Sequence, residues 1–207
     1  MSKDSDAPRT VGTKGMPRKD RELLILDAAA EEFGRRGHAG GSTRDVAARA
    51  GISKPMIYEY FGSKDGLYLA CLDRAGSRLV AAVEAAQEGP ADLTRAARTL
   101  RAVFLALESR PHDWELVYDP TLPAGTDLHT AASVHRRRLN RLGAVGVAAY
   151  LGGSAATEPL DADFATHLWY GAVSAAVSWW HHHPEQTAVE MHERFERIVT
   201  ALGRHGP

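Results

Sequence analysis

Residues 42–64 read STRDVAARAGISKPMIYEYFGSK, and the order of caps, small apolar residues and the glycine at position 51 decides the fold. Ser42 stands at an N-cap position, with Asp45 three residues on as the second half of a capping box. Val46, Ala47 and Ala50 recur at helical spacing and give a short helix a narrow apolar face. Gly51 falls where the chain must leave that helix, a place that takes left-handed backbone angles. Ile52 is apolar within the turn and is expected to plug the core between two helices. Ser53 caps the second helix, and Pro55 lies in its first turn, where a missing N–H costs no hydrogen bond. Ile57 and Phe61, four apart, face inward. Lys54, Pro55, Met56, Tyr58, Glu59 and Tyr60 are left to point outward or sideways. The pattern predicts a helix-turn-helix, whose second helix meets base edges in a major groove.

Spacing alone fits two readings. In one, the unit is a plain helical hairpin whose caps and glycine serve only folding. In the other it reads DNA. A Met and two tyrosines on the outer face of so short a helix suit groove contact, with apolar touch to thymine methyls and hydroxyls to phosphates. Ser63 caps the following helix, whose first N–H groups together with Lys64 suit a phosphate.

Outward from this stretch the chain is helical in pattern. Residues 18–36 place Leu23, Leu26, Ala30 and Phe33 on one side, and Gly37 stops the helix. Further helices are expected over about 64–87, 91–109, 113–118, 126–151, 160–182 and 187–203, separated by Gly- and Pro-containing breaks. No strand-like alternation persists. The expected fold is all-α, a three-helix helix-turn-helix domain (residues 18–66) joined to a C-terminal helical bundle (residues 67–207), about nine helices in all. Residues 1–17 lack periodicity and read as a flexible basic arm.

Charge supports a molecule that touches phosphate at one end. The 207 residues carry a formal net charge of −1. Residues 1–21 hold six Lys/Arg against three Asp, and all five lysines lie at or before Lys64, whereas residues 66–207 hold 13 Arg against 16 acids. Cys71 is the only cysteine, so no disulfide forms within the chain. No apolar signal core opens the sequence. The stretch 164–180 has no Asp, Glu, Lys or Arg, but it contains His167, Gly171, Ser174 and Ser178 and reads as a buried helix rather than a membrane span. A cytoplasmic location is expected.

The stretch from about Arg21 to Leu72 resembles the N-terminal domain of the TetR family of bacterial transcriptional regulators. The segments that carry the resemblance are ILDAAAEEFGRRG ending at Gly37, STRDVAARAGIS ending at Ser53, and IYEYFGSKDGL ending at Leu67. The resemblance implies a homodimer with two DNA-reading heads on a palindromic operator. It implies a C-terminal domain that binds a small-molecule effector, and in most members a repressor that the ligand releases. Thr43 and Arg44 match positions where phosphate contacts are usual. Ser53, Lys54, Pro55, Met56 and Tyr58 match the reading helix, and Tyr60 and Lys64 match backbone-clamping positions. A regulator under a protein partner's control and an activator remain alternatives. No GxSxG, GxGxxG, P-loop or HExxH motif is present, so an enzyme is not expected.

In the remainder, small residues around Gly171 allow close helix approach. Val189, His192, Phe195, Ile198, Val199 and Leu202 make a stripe at helical spacing. Two readings follow: residues 160–182 and 187–203 build a four-helix dimer interface, or they complete the core of one subunit. The family resemblance favours the first. An apolar pocket with a few polar groups is expected, with Phe104 and Trp114 as walls and Tyr118, His129, His135, His167 and Tyr170 as polar groups. Ordinary core packing is the competing account of each residue. His181, His182 and His183 point about 100° apart on a helix and cannot converge on one ion, so neither a metal nor a cofactor is expected.

Overall fold

Ile25, Leu26, Ala29 and Phe33 recur three and four residues apart and are all buried along one side of α1 (Arg18–Gly40). Of the expected stripe, Leu26, Ala30 and Phe33 are buried, whereas Leu23 is 42% exposed. The computed structural model describes residues 15–88, 93–151 and 158–203. The basic arm and the loop after α7 therefore fall largely outside the described residues. Gly37 does break α1, but as a kink with φ 67° rather than an end, and one more turn runs to Gly40. Only glycine takes this angle without steric cost.

Next come α2 (Thr43–Arg49), α3 (Lys54–Phe61), α4 (Lys64–Ala86), α5 (Leu93–Glu108), α6 (Asp113–Val117), α7 (Asp127–Leu151), α8 (Pro159–His181) and α9 (Ala188–Gly203). Among the described residues there is no strand. Gly51 has φ 64° and lets Ile52 N–H return to the Ala47 carbonyl (3.0 Å), closing the α2–α3 turn. Val46 and Ile57, both fully buried, join α2 and α3 to the same core as α1. Ile52 and Phe61 pack on its margin.

Helix α4 is the spine. Leu67, Cys71, Leu72, Ala75, Leu79 and Val83 bury one side of it. It packs on α1 and α3 at its start and on α5, α6 and α7 further along. Burial raises the Cys71 thiol to about 12, which keeps it a packing group rather than a nucleophile.

The last two helices are not a tight pair. α9 packs chiefly on α5 and α8 chiefly on α7, with little contact between them. The α9 stripe divides accordingly. His192 and Phe195 turn inward, Phe195 edge-on to Trp169 at 5.9 Å, while Val189 and Ile198 are exposed. The side chains of Val199 and Leu202 lie outside the described set. The reading of 164–180 as a buried helix also needs correction. Val173, Val177 and Trp180 face the core, but Leu160, Phe164 and Leu168 are 75%, 64% and 58% exposed. No described helix is long and apolar enough to cross a membrane.

Candidate nucleic-acid interface and effector cleft

The head is braced from below α2. Ser42 accepts from the Asp45 N–H (3.3 Å), but the reciprocal bond comes from another residue than expected. The Ser42 N–H donates to Glu32 Oε1 (3.2 Å), a buried carboxylate of α1, while Asp45 reaches Arg36 (3.5 Å). Glu32 also lies 3.6 Å from Arg36 and 3.9 Å from Arg49. Arg49 pairs with Glu31 as well. These contacts fix α2, and hence the angle at which α3 leaves the turn.

On α3, Ile57 is anchored in the core while Lys54, Pro55, Tyr58 and Glu59 are exposed and Met56 and Tyr60 are half-buried. Ser53 occupies the N-cap but its side chain makes no capping bond. Thr43 is buried, with its hydroxyl 3.5 Å from that of Tyr58; Arg44 beside it is exposed. The Lys54 ammonium lies 5.7 Å from the centre of the Tyr58 ring. The hydrogen bond with Thr43, and then the charges of Lys54 and Lys64, hold the Tyr58 hydroxyl below its ordinary pKa. The surroundings of this hydroxyl are thus electropositive, as a phosphate contact requires.

Tyr60 and Lys64 face other parts of the head. Arg21 donates to the Tyr60 hydroxyl (3.1 Å), and the Arg18 guanidinium sits 4.7 Å from the ring centre. Sequence reasoning missed both arginines, although their place in the first turn of α1 was visible. Lys64 donates to the Ala39 carbonyl (3.4 Å), and Ser63 caps α4 by accepting from the Gly66 N–H (2.9 Å).

One carboxylate ties the head to the body. Asp119, 4% exposed, follows α6. It accepts from the His38 N–H (2.7 Å) and the Tyr68 hydroxyl (2.9 Å) through Oδ2, and from the Thr121 N–H and hydroxyl (both 2.7 Å) through Oδ1. A Cβ on Gly37 would come within 2.7 Å of the Thr121 hydroxyl. The kink of α1 is thus seated against the loop after α6.

The body holds a narrow cleft with about 40 Å³ of free space among its side chains. Val83, Leu100, Val103, Leu139 and Val173 form its apolar walls, with Trp114, Tyr118, Trp169 and Tyr170 among them. Trp114, Tyr118 and Tyr170 pack closely as tilted rings, with ring centres 4.5 Å (Trp114–Tyr118) and 4.6 Å (Tyr118–Tyr170) apart. Two cleft hydroxyls, Thr99 Oγ1 and Tyr118 Oη, are buried without a hydrogen bond of good geometry; Tyr118 nevertheless lies beside the Tyr170 hydroxyl. Burial first, then Tyr170, pushes the Tyr118 pKa far up, so both groups remain neutral donors.

Of the expected pocket residues, Trp114, Tyr118 and Tyr170 line this cleft. Four others do not. Phe104 is fully buried edge-on to Trp180 (5.5 Å). The His129 N–H caps onto the Thr126 hydroxyl (3.3 Å). His135 packs over Gly76, where a Cβ would meet the ring at 2.3 Å, and pairs with Asp73 (3.3 Å). His167 is exposed and donates to the Asp163 carbonyl (3.0 Å). Periodicity cannot register wall residues contributed by α4, α5 and α7, because the lining comes from five separate helices.

Residues 25–71 match the model of the bacterial regulatory proteins of the tetR family. The transcriptional activator FasR of Mycolicibacterium smegmatis is 35% identical over 105 residues, 50% of this chain and 48% of that protein. The transcriptional repressor Rv3405c of Mycobacterium tuberculosis is 38% identical over 76 residues, 37% of this chain and 39% of that protein. The match thus spans about half or less of the length of these curated relatives. A TetR-like transcriptional regulator from Rhodococcus sp. RHA1 superposes with a TM-score of 0.71 at 26% identity, covering 92% of this chain and all of that one. Residues 25–71 thus match the helix-turn-helix domain of the tetR family, and the described chain shares its fold with a TetR-like regulator.

Proposed function

We propose that the protein is a sequence-specific DNA-binding transcriptional regulator that acts in the cytoplasm as a homodimer on a palindromic operator. A small molecule bound in the body is proposed to release it. The observation that carries the DNA-binding reading is the α3 surface. Lys54 and Tyr58 project from a helix whose other side is locked by Ile57. Thr43, Arg44, Ser53, Pro55, Met56, Tyr60 and Lys64 complete the proposed contact set. The chain divides into an arm (1–17), a reading head (18–66) and a ligand-binding and dimerising body (67–207).

The cleft suits a ligand that is mostly apolar, with a polar group to meet Thr99 and Tyr118. Ligand entry would spread the closely packed Trp114, Tyr118 and Tyr170 and move α6. The motion would reach the head through Asp119 and along α4. Two heads must sit roughly 34–36 Å apart to meet successive major grooves, and the ligand acts only through unequal affinity for the two spacings. Repression by occupancy is the simpler outcome. FasR is named an activator and Rv3405c a repressor, and operator position decides between these outcomes.

Genomic footprinting with the purified protein identifies the operator, and two substitutions then test the docking face. Tyr58→Ala should cost roughly 1–3 kcal/mol of operator affinity with loss of discrimination at one base position. Lys64→Ala should weaken binding to all sequences alike and reduce the salt slope by about one unit. Fluorescence anisotropy over a salt series reads both. If neither substitution alters binding, α3 does not dock as proposed.

A further inference from the structure

His181 does not share the fate of its two neighbours. His182 and His183 each fold back on α8, donating from Nδ1 to the carbonyls of Ser178 (2.9 Å) and Trp179 (2.8 Å). His181 instead reaches α6. Its Nε2 lies 2.7 Å from the Pro111 carbonyl, which can only accept, so Nε2 carries the proton. Neutral imidazole then presents a lone pair at Nδ1, and Nδ1 lies 3.0 Å from Glu115 Oε1. Two acceptors at that distance need a cation or a proton between them.

The surroundings offer more ligand atoms. His112 stands one turn before Glu115, and its ring centre is 5.4 Å from that of His181. One ligand atom from each of His112, Glu115 and His181 lies within 4.8 Å of the other two. His112 Nδ1 and Glu115 Oε2 are both buried without a hydrogen-bond partner. Buried polar atoms left unpaired are costly, and a bound cation would relieve the carboxylate oxygen directly. Two imidazoles and one carboxylate suit zinc or a similar transition-metal ion. Tetrahedral zinc holds such ligands about 3.3 Å apart, within reach of small rotamer changes. The Nε2–H bond to Pro111 is the outer contact that orients metal-binding histidines. His112 also opens onto a polar groove lined by Asp27, Glu31, Arg35 and Arg110, which provides a path for the ion.

We propose that His112, Glu115 and His181 form a binding site for a divalent transition-metal ion of the zinc class, with an open fourth position for water. The site ties α6 to α8. It also abuts the head, because a Cβ at Gly34 of α1 would fall 2.4 Å from the His112 Cβ. Occupancy therefore holds the α6–α8 side of the body in one arrangement against α1.

Calorimetric titration of the metal-free full chain with Zn²⁺ alone tests the site. The expected result is one ion per chain, with affinity lowered about 100-fold or more by Glu115→Gln and by His181→Ala. The double substitution His182→Ala/His183→Ala should leave that affinity unchanged. Co²⁺ should show the intense visible absorption of a tetrahedral site, lost in Glu115→Gln. Glu115→Gln preserves shape, so it remains informative if His181→Ala fails to fold. Zinc uptake equal in wild type and Glu115→Gln, or no saturable uptake, overturns the proposal and leaves His181–Glu115 a simple ion pair. A change in operator affinity on adding Zn²⁺ would extend the site to regulation; that readout rests on the DNA-binding reading, whereas the calorimetry does not.

Discussion

Replacing Phe164 and Leu168 together with glutamate should leave the chain folded, make it monomeric, and lower operator affinity by about 10²–10⁴-fold. Both side chains are more than half exposed, and Leu160 and Trp179 continue the same apolar line along α8. Because these positions do not support the core of one chain, their exchange should cost little folding free energy. In a dimer the same residues would meet their symmetry copies across a two-fold axis. Four carboxylates would then be brought together with no water to solvate them. The large loss in affinity follows from linkage: two joined heads turn the second half-site contact into an intramolecular event, and a monomer forgoes it. Sedimentation equilibrium with anisotropy titrations on one operator separates the steps. A variant that stays dimeric removes α8 from the interface. A monomer with undiminished affinity removes the two-headed mechanism.

That face also shows what could and could not be read from residue order. The helices follow from local signals that act within a turn or two: Ser42, Gly51 and Ser63 do in the structure what their types and spacing predict. The exposed face of α8 was hidden because an uncharged run looks the same whether it is buried in its own core or destined for another surface. Phe164 and Val173 belong to one composition but opposite environments. Partners far apart in sequence were hidden for a different reason. Glu32 replaces Asp45 in the reciprocal cap, and Arg18 and Arg21 meet Tyr60, only because α1 folds back beside α2 and α3. The His112–Glu115–His181 group is the extreme case. The three consecutive histidines cannot share an ion, as helix geometry dictates, yet one of them meets Glu115 of α6 and His112 just before it. No spacing rule joins residues 115 and 181.

Asp119→Ala should lower unfolding free energy by about 3 kcal/mol at neutral pH, and that deficit should shrink in acid. The carboxylate accepts four hydrogen bonds in a nearly closed site, and its removal strands the His38 N–H and leaves the Tyr68 hydroxyl, on a fully buried side chain, only its longer bond to the Leu116 carbonyl. Burial alone would raise the Asp119 pKa; the bonds from Thr121, His38 and Tyr68 outweigh it and hold the carboxyl below its usual range. An unfolded chain therefore takes up this proton at higher pH than the native one does. The stabilisation is complete above the ordinary aspartate value of about 3.9 and is lost as pH falls through the lower, native value. Urea unfolding of wild type and Asp119→Ala should show a constant gap from pH 8 to about pH 5, narrowing below about pH 4. Tyr68→Phe removes one of the four donors and should cost less, about 1 kcal/mol, although Tyr68 also lies 3.2 Å from the Leu116 carbonyl. The clamp sits between the α1 kink and the loop after α6, so its loss should uncouple head from body before it disturbs α3. Operator affinity of folded Asp119→Ala without ligand should stay near wild type while ligand-induced release is blunted. An Asp119→Ala protein as stable as wild type, or one released normally, would move the coupling elsewhere, with the packing of α4 against α1 as the remaining route.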